Sequence, residues 1–342
     1  MLAIRADADA RIGLGHVMRC FALAEGWRAR GGEAAVFSGG ELPGQVADRL
    51  ARAGIDFRML AASDDGGELA LAVSRLGADW LVVDGPFAGA DYVAAARRSA
   101  PVLLIDDAAA LAPFPVDLLL NQNVQAREES YAAWSGVRVL AGPRYALIRA
   151  DLRQDVRKRA IRDIPERVLV LVGGADPNRY LEMLAEAARD ALQRGEIGEG
   201  RVDAVIGPAN PWRPAASVSG SITYHTGVRD LGSLISAADI ALSSAGSAVG
   251  ELALHGTPMV LGASVPVEEP VGAGMAAEGA AVYLGRLGDC ARERVVTELV
   301  RLLRDAGARQ GLSRAASTMV DGRGVERVID AMLELTGRAG GA

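Results

Sequence analysis

The sequence predicts an α/β protein made of two successive parallel-sheet domains, and three observations predict it. The chain has 342 residues, too many for one average domain and enough for two that each bury a core. Short β-branched or leucine-rich runs alternate with longer alanine- and arginine-rich amphipathic stretches, the pattern of a parallel sheet wound with helices. That alternation breaks in the charged stretch 153–159 and at Pro165, then restarts with an all-apolar run at 168–172. A charged, proline-marked interruption between two such patterns is where a linker belongs.

Taken in order, the expected strands of the first half are 2–6, 34–38, 56–60, 80–84, 102–106, 118–121 and 137–141. Those of the second half are 168–172, 202–206, 222–224, 240–243, 259–262 and 281–284. Each is short enough for a buried strand. The last helix carries Val325, Val328, Ile329, Met332 and Leu333 on one face at helical spacing, a stripe that must be buried. The Gly-Gly-Ala tail after Arg338 carries no pattern.

Composition removes several function classes. A formal charge of -6 and a pI near 5.3 oppose a nucleic-acid partner, which needs a strongly basic face. Cys20 and Cys290 match no metal or disulfide spacing and read as reduced, buried thiols, which fits a reducing compartment. No apolar run approaches the ~20 residues of a membrane span. The start, Met1-Leu2-Ala3-Ile4-Arg5, enters a strand without signal-peptide regions, so the expected location is the cytoplasm, without membrane insertion. Oligomeric state has no signature in the sequence.

Three loops could carry chemistry. The first strand runs into Asp7-Ala8-Asp9-Ala10-Arg11-Ile12-Gly13-Leu14-Gly15-His16, and Val17, Phe21 and Ala24 then begin the apolar face of a helix. Gly13 and Gly15 let backbone approach a ligand, and the unpaired amides of a helix start favour an anion; the same spacing also reads as a tight turn. His16 stands at the carboxyl end of a parallel strand, where ligands bind in open α/β sheets, and an imidazole there can take a proton from water. The other reading is a loop histidine bonded to backbone. In the second half, Gly173-Gly174-Ala175-Asp176-Pro177-Asn178 reads either as ligand contact or as a helix-capping turn. Ser244-Ala245-Gly246-Ser247-Ala248 suits a diphosphate, and Glu251, one turn on, either bonds ribose hydroxyls or is an exposed helix carboxylate. His225 and His255 have no partner at metal-ligand spacing, so neither a metal centre nor a cofactor is expected. Trp27, Trp80, Trp134 and Trp212 read as core or loop residues, and no nucleophile elbow occurs.

The block Arg5-Ala6-Asp7 followed by Ile12-Gly13-Leu14-Gly15-His16-Val17-Met18-Arg19-Cys20 resembles the opening of the UDP-sugar hydrolases of pseudaminic acid biosynthesis, a spore-coat-polysaccharide-protein-like family. Ile105-Asp106-Asp107, the run 117–123, the run 142–149, Gly173-Gly174-Ala175-Asp176-Pro177 and the stretch from Ala237-Ala238-Asp239 to Glu251 match the family in the same order, so the likeness covers residues 1 to about 285. The resemblance implies the glycosyltransferase-B fold, two Rossmann-like domains facing a cleft that takes the UDP-sugar, related to the murein glycosyltransferase. Residues 1–152 would form the domain with the catalytic His16, residues 165–318 the UDP-binding domain, and 322–338 a helix returning to the first domain.

The implied reaction is metal-free hydrolysis of UDP-2,4-diacetamido-2,4,6-trideoxy-β-L-altropyranose to UDP and free sugar, with inversion, in a pathway that supplies sugar for flagellin or surface-polysaccharide glycosylation. His16 becomes the base that activates water, and Asp7, Gly13, Gly15, Arg149, Gly174, Gly246, Ser247 and Glu251 become candidates for substrate contact. Two positions depart from the family pattern. An Asn-Gln pair is replaced by Val267-Glu268-Glu269-Pro270, read as a solvated loop pair unless a glutamate stands in for the amide. A tyrosine expected after the strand-four aspartate is absent from Asp84-Gly85-Pro86-Phe87. Both bear on the sugar pocket, so the exact sugar stays open. A UDP-sugar glycosyltransferase and a non-catalytic sugar-nucleotide-binding protein are the alternatives.

Overall fold

A computed structural model of the chain describes residues 1–9, 13–61, 66–108, 113–154, 156 and 159–337. Residues 10–12 of the first glycine loop, three residues of the expected linker (155, 157 and 158) and the tail from 338 lie outside the described residues. The chain divides into two compact units, residues 1–150 with 322–342, and residues 151–321.

The first unit is built on strands β1 (Leu2–Ala6), β2 (Ala34–Ser38), β3 (Asp56–Met59), β4 (Trp80–Asp84), β5 (Val102–Ile105), β6 (Leu118–Asn121) and β7 (Arg138–Ala141). Its helices include α1 (Gly15–Ala29), α2 (Gly44–Arg52), α3 (Gly67–Leu76) and α4 (Ala90–Ala96). The sheet order is β3-β2-β1-β4-β5-β6-β7, all parallel. Strands β1, β2, β4, β5 and β6 are buried along their whole length, which is why they read as continuous apolar runs rather than alternating ones. The edge strand β3 instead exposes Asp56, Arg58 and Met59, and its charges blunt that edge against further pairing.

A single turn, α5 (Ala150–Arg153), leads into the second unit. There the elements are β8 (Arg167–Leu171), α6 (Tyr180–Arg194), β9 (Arg201–Ile206), β10 (Val218–Ser219), β11 (Ile222–Thr226), α7 (Leu231–Ala237), β12 (Ile240–Ser244) and α8 (Ala248–Leu254). They continue with β13 (Met259–Ala263), α9 (Glu269–Ala277), β14 (Ala281–Arg286), α10 (Arg292–Arg304) and α11 (Ala306–Met319). The order is β10-β11-β9-β8-β12-β13-β14, parallel except for β10, a two-residue antiparallel strand too short and exposed to leave a pattern in the sequence. Without β10 and β7, the two sheets share one strand order, three-two-one-four-five-six, the doubly wound Rossmann arrangement.

The second unit begins at Asp151 rather than at residue 165, and Arg159 shows why. Its guanidinium donates to the carbonyls of His255 (3.0 Å) and Ile235 (2.7 Å), to that of Ala238, and to Thr257 Oγ1 (2.8 Å). These carbonyls lie at the ends of α7 and α8, where no intrahelical donor reaches them. Burial pushes the Arg159 pKa down to about 10, against the pull of Asp239. A charge run reads as a solvated linker until one of its members is needed to close two helices.

Helix α12 (Gly324–Leu335) belongs to the first unit. Val325, Val328, Ile329 and Met332 are buried, whereas Leu333 is only half-buried at the margin of the stripe. Gly26 on α1 makes the docking possible: a Cβ there would fall 2.3 Å from Val325 Cγ1. Arg30 to Asp330 (2.7 Å) and Arg138 to Glu334 (2.6 Å) bind the rim. Among the described residues no helix is long and apolar enough to cross a membrane.

Candidate active site

In the shared strand order the chain reverses its winding between the first and fourth strands, and open α/β sheets bind ligands at the carboxyl ends of such a switch point. In the first unit that point lies between β1 and β4, where Ala6 pairs with Asp84. The loop after β1 closes on a hydrogen bond from Gly13 N to Asp9 O (2.9 Å), and Gly13, at φ +81°, holds a conformation that a side chain would disfavour. Helix α1 then starts at Gly15 with His16 in its first turn. Sequence and topology thus deliver an imidazole and a carboxylate to one switch point, from the segments that follow two neighbouring strands.

His16 Nδ1 lies 2.7 Å from Asp84 Oδ1, and Asp84 is fully buried. Arg19, one turn further along α1, forks onto the same carboxylate, with Nε 2.7 Å from Oδ2 and Nη2 2.6 Å from Oδ1. A second fork reaches Asp107, from Nη1 to Oδ1 at 2.7 Å and from Nη2 to Oδ2 at 2.8 Å. The Cys20 thiol also faces Asp84 Oδ2, at 3.4 Å. Burial opposes ionisation of Asp84, but Arg19 and His16 hold its carboxyl far below the usual carboxylate range. An ionised carboxylate can only accept, so His16 Nδ1 carries the proton and Nε2 keeps its lone pair while the ring is neutral. Arg19 Nη2, 3.2 Å from the same Nδ1, is then a close contact whose N–H groups point to the carboxylates. Burial also opposes charging His16, yet Asp84, with Asp107 behind it, outweighs burial and Arg19 and raises its pKa above the ordinary histidine value. The imidazole side chain remains 23% exposed, so a ligand can reach it.

Asp7 spends its carboxylate inside the protein. It accepts from Ser38 Oγ (2.9 Å) and Gly39 N (2.8 Å) and is ion-paired with Arg5, which itself stacks 3.9 Å over Phe87 and donates to the Tyr92 hydroxyl at 3.1 Å. Burial works against its ionisation, but these partners still lower its pKa. Its role is to tie the ends of β1 and β2. Tyr92 brings a hydroxyl to Arg5 from α4, although the segment after Asp84 has none. Arg149 is buried near the end of the first stretch of this unit, where Leu147 N donates to Gln122 (2.8 Å) and Ala150 N to Glu25 (3.2 Å).

In the second unit the equivalent point lies between β8 and β12. The loop after β8 turns at Gly173 (φ +62°), and Gly207, at the end of β9, packs onto it so closely that a Cβ would lie 2.4 Å from Gly174 O. Asp176 caps α6, accepting from Tyr180 N (2.9 Å) and Leu181 N (2.8 Å), so its carboxylate serves the helix. The loop after β12 carries Gly246 and Ser247 into α8, and Glu251 is half-buried one turn on. Glu268 is not solvated: it accepts from Ser264 N (2.7 Å) and Ser264 Oγ (2.8 Å), and its Oε1 would lie 2.7 Å from a Cβ on Gly246. Burial raises its pKa despite these bonds. Glu269 pairs with Arg286 at 2.7 Å. One glutamate of the pair read as solvated therefore lies against the small-residue loop.

The remaining candidates are structural. His255 lies between Ser236 Oγ (3.1 Å) and the Leu152 carbonyl (2.9 Å), and His225 pairs with Asp203 at 2.7 Å. Both cysteines are free thiols; Cys20 is buried, whereas Cys290 is only half-buried. Trp27, Trp80 and Trp134 are buried and Trp212 packs partly against the second core. Among the described residues no cluster of His, Cys, Asp and Glu could hold a metal ion.

No protein-family model matches the sequence. The spore coat polysaccharide biosynthesis protein SpsG of Bacillus subtilis (strain 168) is 24% identical over 203 residues, 58% of this chain and 59% of that protein. The match thus spans less than two thirds of that relative's length. The crystal structure of Acinetobacter baumannii MurG superposes with a TM-score of 0.64 at 14% identity, covering 97% of this chain and 99% of that one. The chain is thus similar to SpsG over that stretch and shares the glycosyltransferase-B fold with MurG. The S. aureus MnaA-UDP co-structure has the same fold, with a TM-score of 0.67 at 15% identity over 98% of this chain and 97% of that one.

Within this fold, Asp84, Arg19 and Asp107 are the site residues that sequence reasoning missed. Arg19 and Asp107 lie inside blocks to which the family resemblance gives no role, and Asp84 bears on the sequence reading only through the tyrosine absent after it. Signals existed: Asp84 ends an apolar strand, where a buried carboxylate needs partners, and Arg19 is three residues from His16, on the same helix face.

Proposed function

We propose that this chain is a sugar-nucleotide-utilising enzyme of polysaccharide biosynthesis, and that it hydrolyses a UDP-sugar with His16 as the base. The observation that carries the reading is the His16–Asp84 pair, 2.7 Å apart, at the switch point of the first sheet. Asp84 holds Nδ1–H, so Nε2 faces outward to accept a proton from water as the oxygen attacks the anomeric carbon. The imidazolium formed is stabilised by the carboxylate behind it. General-base assistance of this kind contributes ~100- to 10,000-fold.

The departing UDP carries the other half of the chemistry. In this reading its pyrophosphate meets the backbone of Gly246 and Ser247, its ribose meets Glu251, and Gly13, Gly15, Gly174 and Arg149 complete the substrate contacts. Backbone donors placed where charge develops are worth about 3 kcal/mol each in the transition state, enough to assist departure without a metal. Asp7 acts through the loop it ties rather than by contact. The likeness to SpsG and to a structure solved with UDP supports the substrate class, and the sequence resemblance supports UDP-2,4-diacetamido-2,4,6-trideoxy-β-L-altropyranose. Transfer to an acceptor hydroxyl uses the same base, and the fold shared with MurG favours it as the second reading.

NMR of the purified protein with that UDP-sugar tests the proposal, because it reports product and anomer together. The expected result is UDP and the inverted free sugar from the native chain, and none from His16→Ala, which still binds UDP. Near-native turnover by His16→Ala would remove the base assignment, and product formed only with an added acceptor would establish transfer.

A further inference from the structure

The cluster around His16 holds more charge than orienting an imidazole requires. Asp84 alone would align Nδ1. Yet Arg19 grips that carboxylate with one fork and Asp107 with another, and Asn123 Nδ2 steadies Asp107 Oδ1 from a third side at 2.9 Å. Bidentate guanidinium–carboxylate pairs fix direction as well as adding energy. The charges have a definite sum. Arg19 with Asp84 and Asp107 carries one net negative charge, and a protonated His16 brings the cluster to zero, which is the arrangement that burial tolerates best.

We propose that Arg19 is a positioning residue for His16: its two forks lock the Asp84 carboxylate where it receives Nδ1–H, while Asp107 cancels the positive charge that would otherwise oppose the imidazolium. The groups acting on the ring are Asp84 from β4, Arg19 from α1 and Asp107 from the segment after β5, and Cys20 from α1 faces Asp84. Cys20 contributes no charge, because burial pushes its thiol pKa well up. Without Asp107, Asp84 alone would have to offset both burial and Arg19, which oppose a proton on His16. Asp107 is thus part of the device although no direct bond joins it to the ring. The consequence for catalysis rests on the base role proposed above; the positioning itself does not.

The test is NMR of the His16 imidazole in the full chain without substrate, its signals assigned by their loss in His16→Gln. In Asp107→Asn the titration midpoint of His16 is expected to fall, because a negative charge that favours the imidazolium is removed. A midpoint that stays or rises overturns the charge balance. In Arg19→Lys, which keeps the charge and loses the forks, the downfield Nδ1–H proton signal is expected to shift or vanish. A native-like signal in that variant overturns the positioning, and if it fails to fold, Asp107→Asn alone decides. Neither readout needs turnover, so both stand or fall separately from hydrolysis of a UDP-sugar. Given turnover, Arg19→Lys should lower kcat at least tenfold while leaving KM within about twofold.

Discussion

At the carboxyl end of the first sheet, the loops and strands at the switch point bring together His16, Arg19, Asp84 and Asp107 through direct hydrogen bonds. At the equivalent place in the second sheet, the same strand order presents Gly173, Gly174, Gly246 and Ser247, with Asp176 turned back to cap its own helix. One end is made of charged side chains hydrogen-bonded to each other, the other of backbone and small residues with the Glu268 carboxyl alongside. The contrast teaches that a shared topology fixes where a site opens but not what it does. Side chains with linked protonation suit the movement of a proton, and glycine-rich backbone at a helix start suits an anion that must come close.

Substitutions should separate the two ends in order of size. Asp84→Ala leaves Arg19 and His16 without their buried partner and should cost about 3–5 kcal/mol, read by denaturant titration with hydrogen exchange localising the loss to β4 and α1. A loss below about 1 kcal/mol would mean that the network is not buried as described. In the second unit, Gly207→Ala drives a methyl into the carbonyls of Gly173 and Gly174, backbone that cannot swing aside, and should cost about 1–3 kcal/mol, with exchange rising around β8 and β9. Asp176→Ala removes a helix cap and should cost about 1 kcal/mol, localised to α6.

The smallest effect in free energy distinguishes the ends by pH. His16 is raised above its ordinary value of about 6.5, so its stabilising contribution is complete below that value and is lost as pH rises through the higher folded-state value. A base must be neutral, so turnover changes the opposite way, rising across the same window. A pH series of melting temperature and turnover should therefore show activity gained while stability declines above pH ~6.5, an alkaline trend that His16→Ala abolishes. Parallel movement of the two quantities would contradict the assignment.

Much of the fold was legible because buried parallel strands leave continuous apolar runs. Strands β1, β2, β4 and β6 have the same bounds as their sequence expectations, and most others differ by one or two residues at an end. Sheet order was not legible, since which strands neighbour each other depends on winding that no local pattern encodes. Arg159 misled for a related reason: its partners are carbonyls about 75 to 100 residues later in sequence. At the candidate site, His16 was legible from its glycine loop, whereas the Asp84–Arg19–Asp107 network joins residues that only the sheet brings together. Glu268 read as solvated because two adjacent glutamates in a loop are usually exposed; its contact with Ser264 depends on how the chain leaves β13.

The return of α12 to the first unit has a consequence for how the protein is made. A ribosome releases α1 early, with Gly26 bared and the groove above it open, and more than 170 residues of the other unit must emerge before Val325 can fill that groove. The first half to leave the ribosome is therefore the last to be completed. A messenger truncated just before this helix would spare the second sheet and unsettle the first, so an early stop there should harm the residues farthest from it in sequence.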